Sequence, residues 1–143
     1  MILFLECIVS CLLFTLMILP AQYKDPIKMI MSYPPNIRKR VEELPQYRDS
    51  IQKREKAHIV KKIFGIVFFV FVFSAVAYFS GCRDFKSAFF HVFILFFVVN
   101  LFDLLVLDIG VFCHSKKLRI PGTEDMEKDY KDYFFHAKGA FIG

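Results

Sequence analysis

Apolar residues along this chain fall into three long continuous blocks, over residues 1–20, 60–80 and 87–113. Each block reaches the roughly 20 residues with which a helix crosses the hydrocarbon core of a bilayer. Inside a bilayer only helices and closed barrels satisfy their backbone hydrogen bonds, and continuous rather than alternating blocks indicate helices. The pattern therefore predicts an all-α integral membrane bundle, with three transmembrane helices in a single domain over residues 1–143.

The first block is interpreted as a retained transmembrane helix rather than a cleaved signal peptide. No Lys or Arg precedes it, Glu6 lies inside it, and the residues after Pro20 make a poor small-residue cleavage site. Cys11 lies in a sequence similar to a lipidation box, but the apolar run continues past it to Leu19. Both observations favour a helix that stays in the mature protein.

The polar connection over residues 21–59 contains a predicted amphipathic helix between Pro35 and Pro45. Its apolar residues recur at the i, i+4, i+7 spacing of one helical stripe, and basic residues occupy the other faces. The stripe consists of Ile37, Val41 and Leu44, and the basic residues are Arg38, Lys39 and Arg40. This pattern predicts a surface helix that binds anionic lipid headgroups, with a solvated basic anchor as the alternative. From Gln46 a further helix is expected to run without interruption into the second block.

The tail over residues 114–143 is predicted to turn at Pro121-Gly122, which suits a type II turn, and to start a helix capped by Thr123. Two i, i+4 pairs would support this helix, Glu124 with Lys128 and Glu127 with Lys131. The final apolar stretch is about half as long as a membrane crossing requires. It either lies among the lipid headgroups or begins a fourth span, and the capped start favours an incomplete fourth helix.

The distribution of charge predicts the topology. Between residues 21 and 62 there are eleven Lys or Arg against five acids, whereas the turn at 81–86 has only Arg83 and Lys86 as basic residues. Because basic loops stay cytoplasmic, we expect the N-terminus outside and residues 21–59 and 114–133 in the cytoplasm. The net charge of +5 is thus explained by topology, and no nucleic-acid partner is predicted. Abundant Phe, Ile and Lys suggest the inner membrane of a bacterium.

The third block contains polar residues that are costly in hydrocarbon, and membrane proteins rarely keep such residues without a use. Asp103 lies deepest, and at 100° per residue Asn100 and His114 share its helix face. Asp108 would lie about 140° away on a straight α-helix, so the two carboxylates are not expected to form a close pair. The predicted intramembrane polar site consists of Asn100, Asp103, Asp108 and His114.

Three functions compete for this site. The polar groups could hydrogen-bond neighbouring helices, or line a path or pocket for a proton, ion or lipid headgroup. The alternative is an enzyme acting on lipid headgroups at the cytoplasmic face. Its residues would be Asp103, Asp108, His114, Glu124 and His136. The spacing of the four cysteines and of the His and acidic residues matches no known metal or cofactor motif, so no cofactor is predicted. Three helices enclose little space, so transport would require self-association or a partner membrane protein.

Overall fold

The structure is a computed structural model that describes residues 2–142, apart from the side chains of residues 52–56. Three of its helices are long and apolar enough to cross a membrane, which confirms the predicted number of such helices. These candidate spans cover Ile2–Lys24, Ala57–Phe79 and Phe85–Phe112. In chain order the helical elements are α1 (Ile2–Lys24), a 3-10 segment (Pro26–Ser32), α2 (Pro35–Glu43), α3 (Pro45–Phe79), α4 (Phe85–Phe102), a π-helix that continues α4 (Asp103–Phe112), a 3-10 turn (Lys116–Leu118), α5 (Glu127–Tyr130) and α6 (Tyr133–Ile142).

The helix α3 is continuous over 35 residues, so the expectation that a polar helix runs unbroken into the second apolar block is confirmed. It begins at Pro45, and proline suits the first helical turn because the backbone donor it lacks would have no partner there. The most apolar stretch of α3 contains no residue buried within the chain. Its surface is therefore available to lipid or to another protein.

A tight turn reverses the chain between α3 and α4, which begins at Phe85. Gly81 adopts a φ of +93°, a conformation that favours glycine because it has no Cβ. Asp84 caps α4, because its side chain accepts a hydrogen bond from the backbone N–H of Ser87 at 3.0 Å. From this start α4 packs against both α1 and α3 and forms the centre of the bundle.

The polar segment that ends with the first turns of α3 packs against the segment that follows the π-helix, and we call this compact unit the collar (residues 25–51 and 113–132). Neither segment is long enough to form a core alone, but together with Phe112 they bury a continuous apolar cluster. Its members are Ile30, Tyr33, Ile37, Val41, Ile51, Phe112, Cys113, Leu118, Ile120 and Tyr130. Burial raises the pKa of Tyr33 above its usual range, so its hydroxyl stays protonated and donates to Leu118 O at 3.0 Å.

The apolar stripe of α2 faces this core and not a membrane surface. Ile37 and Val41 are completely buried against the collar, and Leu44 packs over Gly122, where an added Cβ would approach Leu44 Cδ1 to 2.7 Å. The interpretation of this stripe as lipid-facing was therefore wrong. An amphipathic pattern shows that one helix face is covered, but it does not distinguish lipid from protein as the cover.

In the tail, the structure confirms the predicted turn at Gly122, but the helix that follows starts later than predicted. Gly122 has a φ of +94°, and the N–H of Thr123 donates to Ile120 O at 3.1 Å, as in the predicted type II turn. Thr123 does not cap a helix; its buried hydroxyl donates to Ile120 O at 2.7 Å, and α5 begins only at Glu127.

Of the two predicted ion pairs in the tail, one forms. The pair Glu127–Lys131 is confirmed at 2.6 Å. Glu124 instead accepts hydrogen bonds from the N–H of Gly122, and these bonds lower its pKa. The helix α6 then folds back along the π-helix, so the predicted C-terminal helix is present over Tyr133–Ile142.

Candidate functional site

The geometry of the predicted polar site depends on the π-helix that continues α4. Its backbone bonds join residues five apart, as between the N–H of Cys113 and Asp108 O at 2.9 Å. Asp103 and Asp108 are also five residues apart, so the wider turn places them roughly one above the other, where the charge of Asp108 acts on Asp103. The predicted angle of about 140° applies to a straight α-helix, and the wider turn of the π-helix makes it smaller.

His136 of α6 joins this site from the tail. Its Nδ1 lies 3.2 Å from Asp108 Oδ2, and its ring packs edge-on to Phe112 with centroids 5.1 Å apart. Burial lowers the pKa of His136, but the contacts with Asp108 and Cys113 outweigh this effect and raise the pKa to about 9. At neutral pH the imidazole is thus protonated and paired with the carboxylate.

Asn100 forms the second polar contact between α4 and α6. Its Nδ2 donates to the carbonyl oxygen of Ala140 at 2.9 Å. Because Asp108 meets His136 while Asn100 meets Ala140, α6 runs antiparallel to this part of α4. The two contacts hold α6 beside the last turns of the third candidate span.

Asp103 differs from Asn100 and Asp108 because no described group donates a hydrogen bond to its side chain. Its side chain is half-buried, and no hydrogen bond to it forms from any side chain or backbone group in the part of the chain that the structure describes. Asn100 and Asp108, in contrast, are both engaged with α6. Asp103 is therefore the member of this group with free capacity to accept a proton or a cation.

The structure gives other partners to the remaining predicted residues. The ring of His114 is exposed, and its Nδ1 lies 2.8 Å from Ile109 O of its own helix. Glu124 is engaged with the backbone of Gly122 in the collar turn. Among the described residues no group of three or more His, Cys, Asp or Glu is arranged to hold a metal ion.

A second polar cluster joins three helices near the turn between α3 and α4. Glu6 Oε2 of α1 lies 2.7 Å from His91 Nε2 of α4, and the hydroxyl of Ser80 contacts the other carboxylate oxygen. This cluster is separate from the predicted polar site, because His91 lies twelve residues before Asp103 on the same span. A usable signal was depth, since Glu6 and His91 lie at similar distances from the starts of α1 and α4.

Comparison of the chain with protein-family models, with curated proteins and with solved structures finds no match.

Proposed function

We propose that this protein is a multi-pass membrane component that binds a proton or a small cation at an intramembrane site centred on Asp103, beside the pair of Asp108 and His136. The observation that carries this proposal is the half-buried carboxylate of Asp103, which accepts no hydrogen bond from the described residues. An ionisable group at this depth in an apolar helix is costly, and such groups mark ion or proton sites more often than ordinary packing.

A structural role is the second candidate, and it is favoured for two residues in particular. Asn100 and Asp108 each bind α6, and these contacts explain both polar groups without a ligand. The two roles are compatible, because Asn100 and Asp108 position α6 while Asp103 remains unengaged. The enzyme alternative has less support, since His114 and Glu124 are bound elsewhere.

The cellular setting of the proposal is a bacterial inner membrane with the N-terminus outside and the collar in the cytoplasm. The excess of basic residues between residues 21 and 62, eleven Lys or Arg against five acids, supports this orientation. Because three spans enclose little space, a transport role would need a second copy or a partner membrane protein. The uncovered apolar surface of α3 could contact either.

The orientation predicts which side of the membrane exposes Ser50, an exposed residue of α3. In a variant with the four native cysteines replaced, Ser50→Cys should react with a thiol reagent only when the reagent can cross the membrane. Labelling intact cells with a permeant and an impermeant reagent checks this expectation. Reaction with the impermeant reagent would place the collar outside and contradict the orientation.

Two variants of Asp103 separate ligand binding from helix contact. Asp103→Asn should keep the fold, because the amide has nearly the same shape, and should abolish proton or cation binding, because it has no charge and no titrating proton. Infrared difference spectra of the purified protein across a pH series, with and without Na⁺ or K⁺, measure this directly. The wild type should show a carboxyl band that responds to pH or to the cation, and Asp103→Asn should lack it.

Asp108→Asn is the matched control, because it removes the same charge from the same helix but leaves Asp103 in place. It should retain the responsive band of Asp103 while loosening α6. A spectrum of Asp103→Asn identical to that of the wild type would overturn the proposed site. The proposed site would also be contradicted if Asp103→Asn lost the folded protein while Asp103→Leu kept it. The loss of stability would then come from burying an amide without a hydrogen-bond partner.

A further inference from the structure

A cleft of about 320 Å³ lies where α6 meets the collar. Its apolar lining, which we call the floor, comes from two distant parts of the chain: Met31 and Tyr33 near α2, and Phe135 of α6. Three charged side chains of α2 line its wall: Arg38, Lys39 and Glu42. The cleft thus combines an apolar surface with a charged rim.

The charge of this rim favours an anion. Two cations and one acid give a net charge of +1, and Glu42 is held by Arg38, whose Nε lies 3.1 Å from Glu42 Oε1. Lys39 is exposed and makes no ion pair with any residue that the structure describes. Arg40 of the same helix is bound elsewhere, with Nη2 2.9 Å from Asp125 Oδ2.

The position of the cleft puts it beside the membrane. Phe135 is followed by His136, which contacts Asp108 within the third candidate span. On the same helix Phe134 and Phe141 are 79% and 83% exposed, so α6 presents bare aromatic side chains at this level. Apolar groups of this size are stable outside a protein core when lipid covers them.

We infer that this cleft binds the phosphate-bearing headgroup of one anionic membrane lipid. The phosphate lies against the ammonium group of Lys39 and the positive charge of Arg38, which are suited to phosphate as a point charge and a planar donor. The glycerol and the start of the acyl chains lie on the apolar floor formed by Met31, Tyr33 and Phe135. A free phosphate ion would leave this floor exposed to water, which favours a lipid.

This inference is independent of the intramembrane site and changes the expected role of the basic residues. The sequence predicted that Arg38, Lys39 and Arg40 bind a lipid surface together. The structure separates them, because two line the cleft and the third pairs with Asp125. Lipid binding should therefore be saturable at one molecule and depend on position, not on net charge alone.

Native mass spectrometry of the full-length protein in detergent micelles tests the site with two probes, phosphatidylglycerol and phosphatidylcholine. The wild type should retain one phosphatidylglycerol in preference to phosphatidylcholine. Lys39→Gln should weaken retention of phosphatidylglycerol about fivefold, the effect expected of one basic residue at a lipid headgroup. Arg48→Gln is the matched control, because it removes the same charge from an exposed site outside the cleft and should leave binding unchanged.

Equal weakening by Lys39→Gln and Arg48→Gln would overturn the inference, since it would indicate diffuse attraction of charge. Inorganic phosphate is the second arm of the experiment. If millimolar phosphate displaced the lipid or raised the thermal stability as much as the lipid does, the ligand would be a free phosphate and the lipid assignment would fail. Phe135→Ala should weaken lipid binding without changing any effect of phosphate, because it removes only the apolar floor.

Discussion

Replacing Tyr130 with alanine is expected to lower the free energy of unfolding by about 3–5 kcal/mol, the cost of removing a large aromatic side chain from a core. The ring is fully buried and packs against Phe112 and Tyr33, with centroids 5.9 and 6.1 Å away. The guanidinium of Arg119 lies 3.9 Å from the ring centroid on its face. Since both polar segments of the collar meet at this ring, its removal should loosen both.

Tyr130→Phe separates the contribution of the Tyr130 hydroxyl to stability from that of its ring, and Tyr133→Ala is the control. The Tyr130 hydroxyl accepts the N–H of Ile120 at 3.0 Å and lies 2.7 Å from the hydroxyl of Thr123. Tyr130→Phe leaves that N–H without a partner and should cost about 1–3 kcal/mol. Tyr133→Ala, at a residue 45% exposed, should change stability by no more than about 0.5 kcal/mol. Denaturant titration in detergent measures all three, and equal losses for Tyr130→Ala and Tyr133→Ala would contradict the role of the collar core.

The membrane-sized helices could be predicted because their signal is local. A continuous apolar block has one stable form in hydrocarbon, so its length alone determines the helix. The start of α3 at Pro45 and the turn at Gly122 followed from residue types whose backbone preferences are strong. In each case the information lay within a few neighbouring residues.

The collar could not be predicted because its core joins segments that are separated by the whole of α3 and α4. The stripe of Ile37 and Val41 indicates only that one face is covered, and the covering residues Leu118, Ile120 and Tyr130 lie some eighty residues later. The hydroxyl of Thr123 is a second case in which a distant contact overrides the local sequence pattern. A threonine before acidic residues is typical of a helix cap, yet packing against Tyr130 directs its hydroxyl to another partner.

The sequence predicted the residues of the candidate site but not how they are arranged. Asp103 and Asp108 stand out because a carboxylate in an apolar block is unusual by itself. Their mutual geometry depends on the π-helix, which the α-helical periodicity does not reveal. The contact of Glu6 with His91 depends on how α1 and α4 align, and a pattern within one helix carries no information on its neighbour.

The attachment of α6 is expected to weaken as the pH rises through about 9. Burial lowers the pKa of His136, but the contacts with Asp108 and Cys113 outweigh this effect and raise the pKa from its ordinary 6.5 to about 9. The folded protein therefore holds this proton more tightly than the unfolded chain. The resulting stabilisation, about 2–3 kcal/mol, is fully present below about pH 6.5 and is lost as the pH passes 9.

Denaturant titrations of the wild type and of His136→Gln between about pH 6 and pH 10 measure this contribution. The wild type should be the more stable protein at the low end, and the difference should shrink by about 2–3 kcal/mol toward the high end. His114→Gln is the control, because this exposed histidine lies at the same end of the molecule without contacting a carboxylate. Its pH profile should run parallel to that of the wild type.

Asp108→Asn provides the complementary change, because it removes the carboxylate that keeps His136 protonated. At pH 7 it should cost about 2–3 kcal/mol, because the contribution of the charged pair is lost while the imidazole becomes neutral. The neutral imidazole that results has no proton to lose near pH 9, so the pH profile of this variant should be flat where that of the wild type falls. A wild-type profile that is also flat between pH 7 and 10 would show that the pair is not charged in the folded protein, and α6 would then be held by packing and by Asn100.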